Sequence, residues 1–252
     1  MLVERLARYE RIVVPVCLVA VMALAWAYLL AGAGTMQDMG GMVMPMSTWP
    51  WSLAHAAVML IMWLVMMVAM MLPSAMPVIL LYTTLNRRSE GSRIAVASFT
   101  TGYIAIWGGF SILALLGQFF LEQAALLSSM MEATSDVVSG ILLLFAGIYQ
   151  FTPLKRACLR LCRSPIEFLS MHWRPGNFGA FVMGARHGVY CVGCCWGLML
   201  LLFVGGLMNV IWIAGLAAFV LIEKLAPSGP LFGQAAGVAF IILGAVVLAQ
   251  AL

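Results

Sequence analysis

The sequence predicts an all-α fold, a polytopic bundle of transmembrane helices with about seven spans, in a range of roughly six to eight, and a cytoplasmic N terminus. Three observations carry that expectation. The chain of 252 residues is 64% hydrophobic and 9% charged, with a mean hydropathy of +1.07, far outside the range of soluble domains. Its apolar residues gather into stretches of about bilayer length. Its basic residues segregate between those stretches.

At roughly 20 residues per span, the apolar stretches are 12–31, 52–80, 95–120, 136–152, 179–204, 207–222 and 231–251. The first follows Arg5, Arg8 and Arg11 and ends in Ala31, Gly32 and Ala33, which resembles a signal peptide. The run from Ile12 to Leu30 exceeds a usual signal core, so it reads as a retained span. The second contains Pro73 and Pro77, which predict a kink or break. The fifth has Gly184, Gly188, Gly193 and Gly197, and the last has Gly229, Gly233 and Gly237. Small residues at that spacing let helices approach closely, within the bundle or across an oligomer face.

With the N terminus inside, Arg87, Arg88, Arg93, Lys155, Arg156, Arg160, Arg163, Arg174 and Lys224 join the N-terminal arginines on the cytoplasmic side. Asp38, Glu122, Glu132 and Asp136 fall outside. The formal net charge of +4 therefore reflects topology and does not point to nucleic acid. Residues 1–252 form a single integral membrane domain, with a methionine-rich outer loop at 32–50 and a basic cytoplasmic loop at 153–177. The expected compartment is a bacterial plasma (inner) membrane. The expected companions are a lipid bilayer, a soft metal ion, and a membrane metalloenzyme or periplasmic metal carrier.

The chemistry lies in the sulfur. Cys191, Cys194, Cys195 and His187 occupy one span, and at about 100° per residue the histidine and first two cysteines share roughly 60° of arc, with Cys195 at its edge. Polar groups at that depth are costly and point to a functional site. A buried thiolate there needs a cation or a metal beside it, and Arg186 is the basic residue nearest in sequence. Twenty methionines are present. His55, Met59, Met62, Met66 and Met70 share about 80° of one helix face, with Met67 and Met71 beside it. Thioether, thiolate and imidazole suit Cu(I) better than oxygen-preferring ions. The expected ligands are His187, Cys191, Cys194 and Cys195, completed by Met66, Met70 and Met62, with His55 at the outer end of the stripe. Methionine also fills gaps between helices, and that structural reading stands beside the functional one. The outer loop adds Met36, Met39, Met42, Met44 and Met46 with Asp38, a segment suited to capturing a soft cation.

Cys17 reads as a packing residue, and Cys158 with Cys162 share one side of a short helix in the basic loop. Glu223 and Lys224 read as an interfacial ion pair at the inner end of the sixth span, with proton exchange as the sharper alternative. Several strings together resemble a bacterial family of predicted metal-binding integral membrane proteins of unknown function. They are MetMetValAlaMetMetLeuProSer at Met66 to Ser74, TyrGlnPheThrProLeuLys at Tyr149 to Lys155, Cys158 with Cys162, CysValGlyCysCysTrp at Cys191 to Trp196, and Glu223 with Lys224. The resemblance implies a multi-helix membrane protein that binds metal, and implies no substrate.

The preferred function is binding copper, as Cu(I), for transport, storage or delivery to a partner metalloenzyme. A membrane thiol-disulfide oxidoreductase built on the Cys191–Cys194 CxxC pair is the main rival, and a non-catalytic subunit of a larger complex is the third. No catalytic string and no phosphate-binding loop is present, so the chain reads more readily as a carrier than as an enzyme.

Overall fold

The computed structural model describes residues 2–33, 36–38, 43–45, 51–88, 92–128 and 131–251. The methionine-rich run from Met36 to Met46, with Asp38, has its side chains outside the described residues. Its backbone contributes two three-residue strands, β1 (Met36–Asp38) and β2 (Val43–Pro45), paired antiparallel with Gln37 opposite Met44.

The other regular elements among the described residues are helices: α1 (Leu2–Leu30), α2 (Leu53–Arg88), α3 (Arg93–Gln123), α4 (Asp136–Tyr149), α5 (Pro153–Arg163), α6 (Pro165–His172), α7 (Gly176–Met199), α8 (Leu202–Gly205), α9 (Val210–Leu225) and α10 (Gly229–Ala251). Among the described residues five helices are long and apolar enough to cross a membrane, and the bent pair α4–α5 makes a sixth if counted as one span. The seven apolar stretches each yield a helix, but α4 and α9, with 14 and 16 residues, fall short of the roughly 20 residues a bilayer core asks for.

The local chemistry explains the breaks. Thr152 accepts a hydrogen bond from the Lys155 backbone N–H at 3.3 Å, and Pro153 takes the first helical position, where a missing N–H costs nothing. A new helix therefore starts at α5, bent by 65° from α4. Asn209 caps α9 in the same way through the Trp212 N–H at 3.1 Å. Of the kink or break expected at Pro73 and Pro77, the break does not occur: α2 runs through both. The Ser74 hydroxyl donates to the Met71 carbonyl at 2.9 Å and the Tyr103 hydroxyl donates to the same carbonyl at 3.0 Å, which ties α3 to α2 beside Pro73.

The glycine faces are used within the chain. A Cβ at Gly184 would strike the Phe99 carbonyl oxygen, and one at Gly102 the Phe181 carbonyl oxygen, so α3 and α7 cross backbone against backbone. Gly237 lies against Gln150 and Gly147 against the Gly237 carbonyl, which joins α4 to α10. Gly197 abuts the Tyr149 ring, and Gly233 abuts the Glu223 carboxylate. The small-residue spacing thus records close helix approach inside one chain, and these glycines offer no free face for an oligomer.

Candidate metal centre

The residues that meet at the centre of the bundle come from α2, α3, α5, α7 and α9. α5 is amphipathic: Arg156 and Arg160 point outward, while Lys155, Cys158, Leu159 and Cys162 are buried. The buried side packs on α7, so Cys158 and Cys162 face the bundle rather than the open side of α5. The Cys158 sulfur sits against Gly193, 2.7 Å from where a Cβ would stand. The Cys162 Sγ lies 3.7 Å from the Cys194 Sγ. On the other side of α7, the Cys195 Sγ lies 3.9 Å from the Met71 Sδ. Cys194 and Cys195 also donate to the Cys191 carbonyl, at 3.1 and 3.0 Å. All five of these cysteines are buried and free, and Cys17 is free and exposed.

Cys191 has a different neighbourhood. The Lys224 ammonium donates to its Sγ at 2.9 Å and to the Ser74 hydroxyl at 3.2 Å, and the Tyr103 hydroxyl is 3.1 Å from the same sulfur. Lys224 is only 3% exposed, and among the described residues it has no carboxylate partner. The expected pairing of Glu223 with Lys224 is therefore replaced. Consecutive helical residues point about 100° apart, so Lys224 turns to Cys191 while Glu223 turns to Lys155, forming a 2.8 Å ion pair with side-chain exposures of 1% and 2%. Lys155 is thus deeply buried rather than lying in a solvated loop. The cation expected from Arg186 also comes from elsewhere, because Arg186 is exposed and Lys224 fills that role.

The predicted ligands divide. Cys191, Cys194 and Cys195 belong to the cluster. His187, one turn away and 2% exposed, lies between the rings of Tyr103, tilted at 5.7 Å, and Phe168, edge-on at 5.0 Å, and its Nδ1 has no hydrogen-bond partner among the described residues. Met62, Met66 and Met70 are buried on α2, but the thioether that reaches a cysteine is Met71, about 100° around the helix from Met70. His55 stands far from the cysteines, edge-on to Trp51 at 5.1 Å near the N-terminal end of α2. Sequence reasoning passed over Met71, Cys162 and Ser74 as site residues. A signal for Cys162 was present, since it follows Cys158 at one-turn spacing, but nothing local shows which helix α5 docks against.

Among the described residues no three His, Cys, Asp or Glu side chains converge as a formed metal centre, so the sulfur pairs are the unit to weigh. With a metal–sulfur bond of about 2.3 Å and angles from tetrahedral to trigonal, two sulfurs sharing one ion stand about 3.8–4.0 Å apart. The Cys162–Cys194 and Cys195–Met71 separations of 3.7 and 3.9 Å match that spacing closely. The donor set is thiol and thioether, the class that selects soft ions.

A helical bundle of apolar helices around a buried soft-donor cluster defines a protein suited to handling a soft metal. Residues 60–247 match the PpoB2 family, described as a copper chaperone, and the chain belongs to that family. No curated protein and no solved structure matches the chain.

Proposed function

We propose that this protein is a membrane-embedded copper chaperone that takes up Cu(I) in the bundle and surrenders it to a partner metalloenzyme. The observation that carries the reading is the pair of sulfur–sulfur separations, 3.7 Å for Cys162–Cys194 and 3.9 Å for Cys195–Met71, inside a family of copper chaperones. Cys162 and Cys194 provide the thiolate pair, with Cys195, Met71 and Cys191 as the sulfurs to which the ion passes. His187 supplies a nitrogen donor one turn below Cys191. The long apolar helices support a multi-pass location in a bacterial inner membrane, with the N terminus cytoplasmic and the methionine-rich loop at 32–50 on the outer side. In this reading residues 1–252 act as one membrane domain and 153–177 form the inner face.

Charge supports the monovalent ion. Cu(I) on two thiolates carries a net charge of −1, and an uncompensated charge in a low-dielectric interior is costly. The Lys224 ammonium, 2.9 Å from Cys191, balances it. Before loading, the same ammonium has the Cys191 sulfur as its nearest anion-forming group.

The test is the copper content of the detergent-purified protein after anaerobic Cu(I) loading and removal of weakly held metal. Cys162→Ser and Cys194→Ser should each lose tightly bound copper, because a hydroxyl is a poor ligand for Cu(I). Met71→Leu, which preserves bulk, should weaken retention. Folded serine variants that keep the wild-type copper content would overturn the assignment of the site.

A further inference from the structure

A second group of soft donors stands at the other end of α2, about 18 Å from Met71 at 1.5 Å of rise per residue. It surrounds a single atom. The Nε2 of Gln118 lies 2.8 Å from the Glu122 Oε1, 3.6 Å from the Met59 Sδ and 3.4 Å from the Met131 Sδ. Gln118 is fully buried, and the orientation of its amide is fixed by chemistry. The Trp63 indole N–H, which can only donate, points at the Gln118 Oε1 at 2.8 Å, so the amide nitrogen must face the carboxylate and the two thioethers. The second oxygen of Glu122 accepts from the Trp51 indole at 2.8 Å, which holds the carboxylate in place.

An amide nitrogen has two hydrogens and here meets three acceptors. It is a partly positive group enclosed by one anionic oxygen and two soft sulfurs drawn from α2, α3 and the α3–α4 connection. Met59 heads the stripe that continues through Met62, Met66 and Met70. A cavity of about 360 Å³ at the ends of α1 and α9 reaches that stripe at Met62, with Met208 and the Ala31–Ala33 turn also on its wall.

We propose that Met59, Met131 and Glu122 form a second binding site for a soft monovalent cation, at the end of the bundle opposite the inner-face helices α5 and α6, where the cargo is exchanged with the outer side. The Gln118 amide holds the position that the ion takes. Methionine side chains have three rotatable bonds, so the two sulfurs close from 3.4–3.6 Å to bonding distance as the amide withdraws. Two neutral thioethers and one carboxylate leave a monovalent ion electrically neutral, while a divalent ion retains a charge of +1 in a buried place. Without thiolates the site binds more weakly than the cysteine cluster, which suits exchange rather than retention. This inference rests on the copper reading above.

The experiment is anaerobic Cu(I) titration of the full-length protein in detergent against a chromophoric Cu(I) chelator, comparing wild type, Cys162→Ser/Cys194→Ser, Met59→Leu/Met131→Leu and Glu122→Gln. The expected wild-type curve has a tight and a weak class. The cysteine variant loses the tight class and keeps the weak one. The methionine variant keeps the tight class, with the weak class weakened at least tenfold. Glu122→Gln, which preserves shape and a hydrogen-bond acceptor, weakens that class in the same direction and covers the case in which the methionine variant does not fold. A weak class unchanged in a folded methionine variant or in Glu122→Gln overturns the second site. Loss of neither class in the cysteine variant instead overturns the central site and leaves the outer one to be judged on its own arm.

Discussion

Lys155→Met should destabilise the protein severely, and adding Glu223→Met should restore most of what is lost. The two charges stand 2.8 Å apart with 2% and 1% side-chain exposure. At an effective dielectric constant of about 20, their attraction is about 6 kcal/mol, and much of that offsets the cost of taking both from water. Removing the lysine alone leaves a carboxylate whose Oε1 has no hydrogen-bond partner among the described residues and is pressed against Gly233. Breaking a buried pair in this way costs about 3–5 kcal/mol, whereas replacing both partners with apolar residues of similar volume is often close to neutral. Adding Glu223→Met to Lys155→Met is therefore expected to recover about 3 kcal/mol. The assay is unfolding in detergent micelles, following loss of helical signal or of monodispersity with temperature, for both single variants and the double variant. A double variant as unstable as Lys155→Met would refute the argument, because it would show that the cost comes from lost packing of α5 on α9 rather than from an orphaned charge.

The remaining predictions concern the cation and the topology. Lys224→Met removes the ammonium 2.9 Å from the Cys191 sulfur and should lower Cu(I) affinity at least tenfold, while Lys224→Arg restores part of it; equal affinity in all three proteins would mean that the lysine has no part in binding. A cysteine introduced at Ser89 should be labelled by a membrane-impermeant thiol reagent only from the inner side and one at Ser128 only from the outer side, and labelling of Ser89 from outside would reverse the orientation.

The helices were legible because apolar length and basic segregation are strong local signals. α2, α3, α7 and α10 fall where composition puts them. The 65° bend after α4 was partly legible in the ThrPro at 152–153, a start signal for a helix that reading by hydropathy alone merges into the preceding span. The continuity of α2 through Pro73 and Pro77 was not legible, since proline is a local breaker signal while the packing of α2 against α1 and α3 is not local. The site divides in the same way. The spacing of Cys191, Cys194 and Cys195 on one helix is local, and the sequence shows it. That Cys162 meets Cys194, that Lys224 rather than Arg186 faces Cys191, and that Met71 rather than Met70 meets Cys195 all depend on how helices rotate against one another. A single rotation of about 100° exchanges one methionine for its neighbour, and no local pattern fixes it.

In the proposed function copper binds to sulfur contributed jointly by α5 and α7. X-ray absorption at the copper edge of the Cu(I)-loaded full-length protein tests it most directly, read for wild type and for Cys162→Ser. The wild-type first shell should be dominated by sulfur at about 2.3 Å, with one sulfur fewer in Cys162→Ser. A first shell of nitrogen and oxygen, or a sulfur shell unchanged by Cys162→Ser, would contradict it.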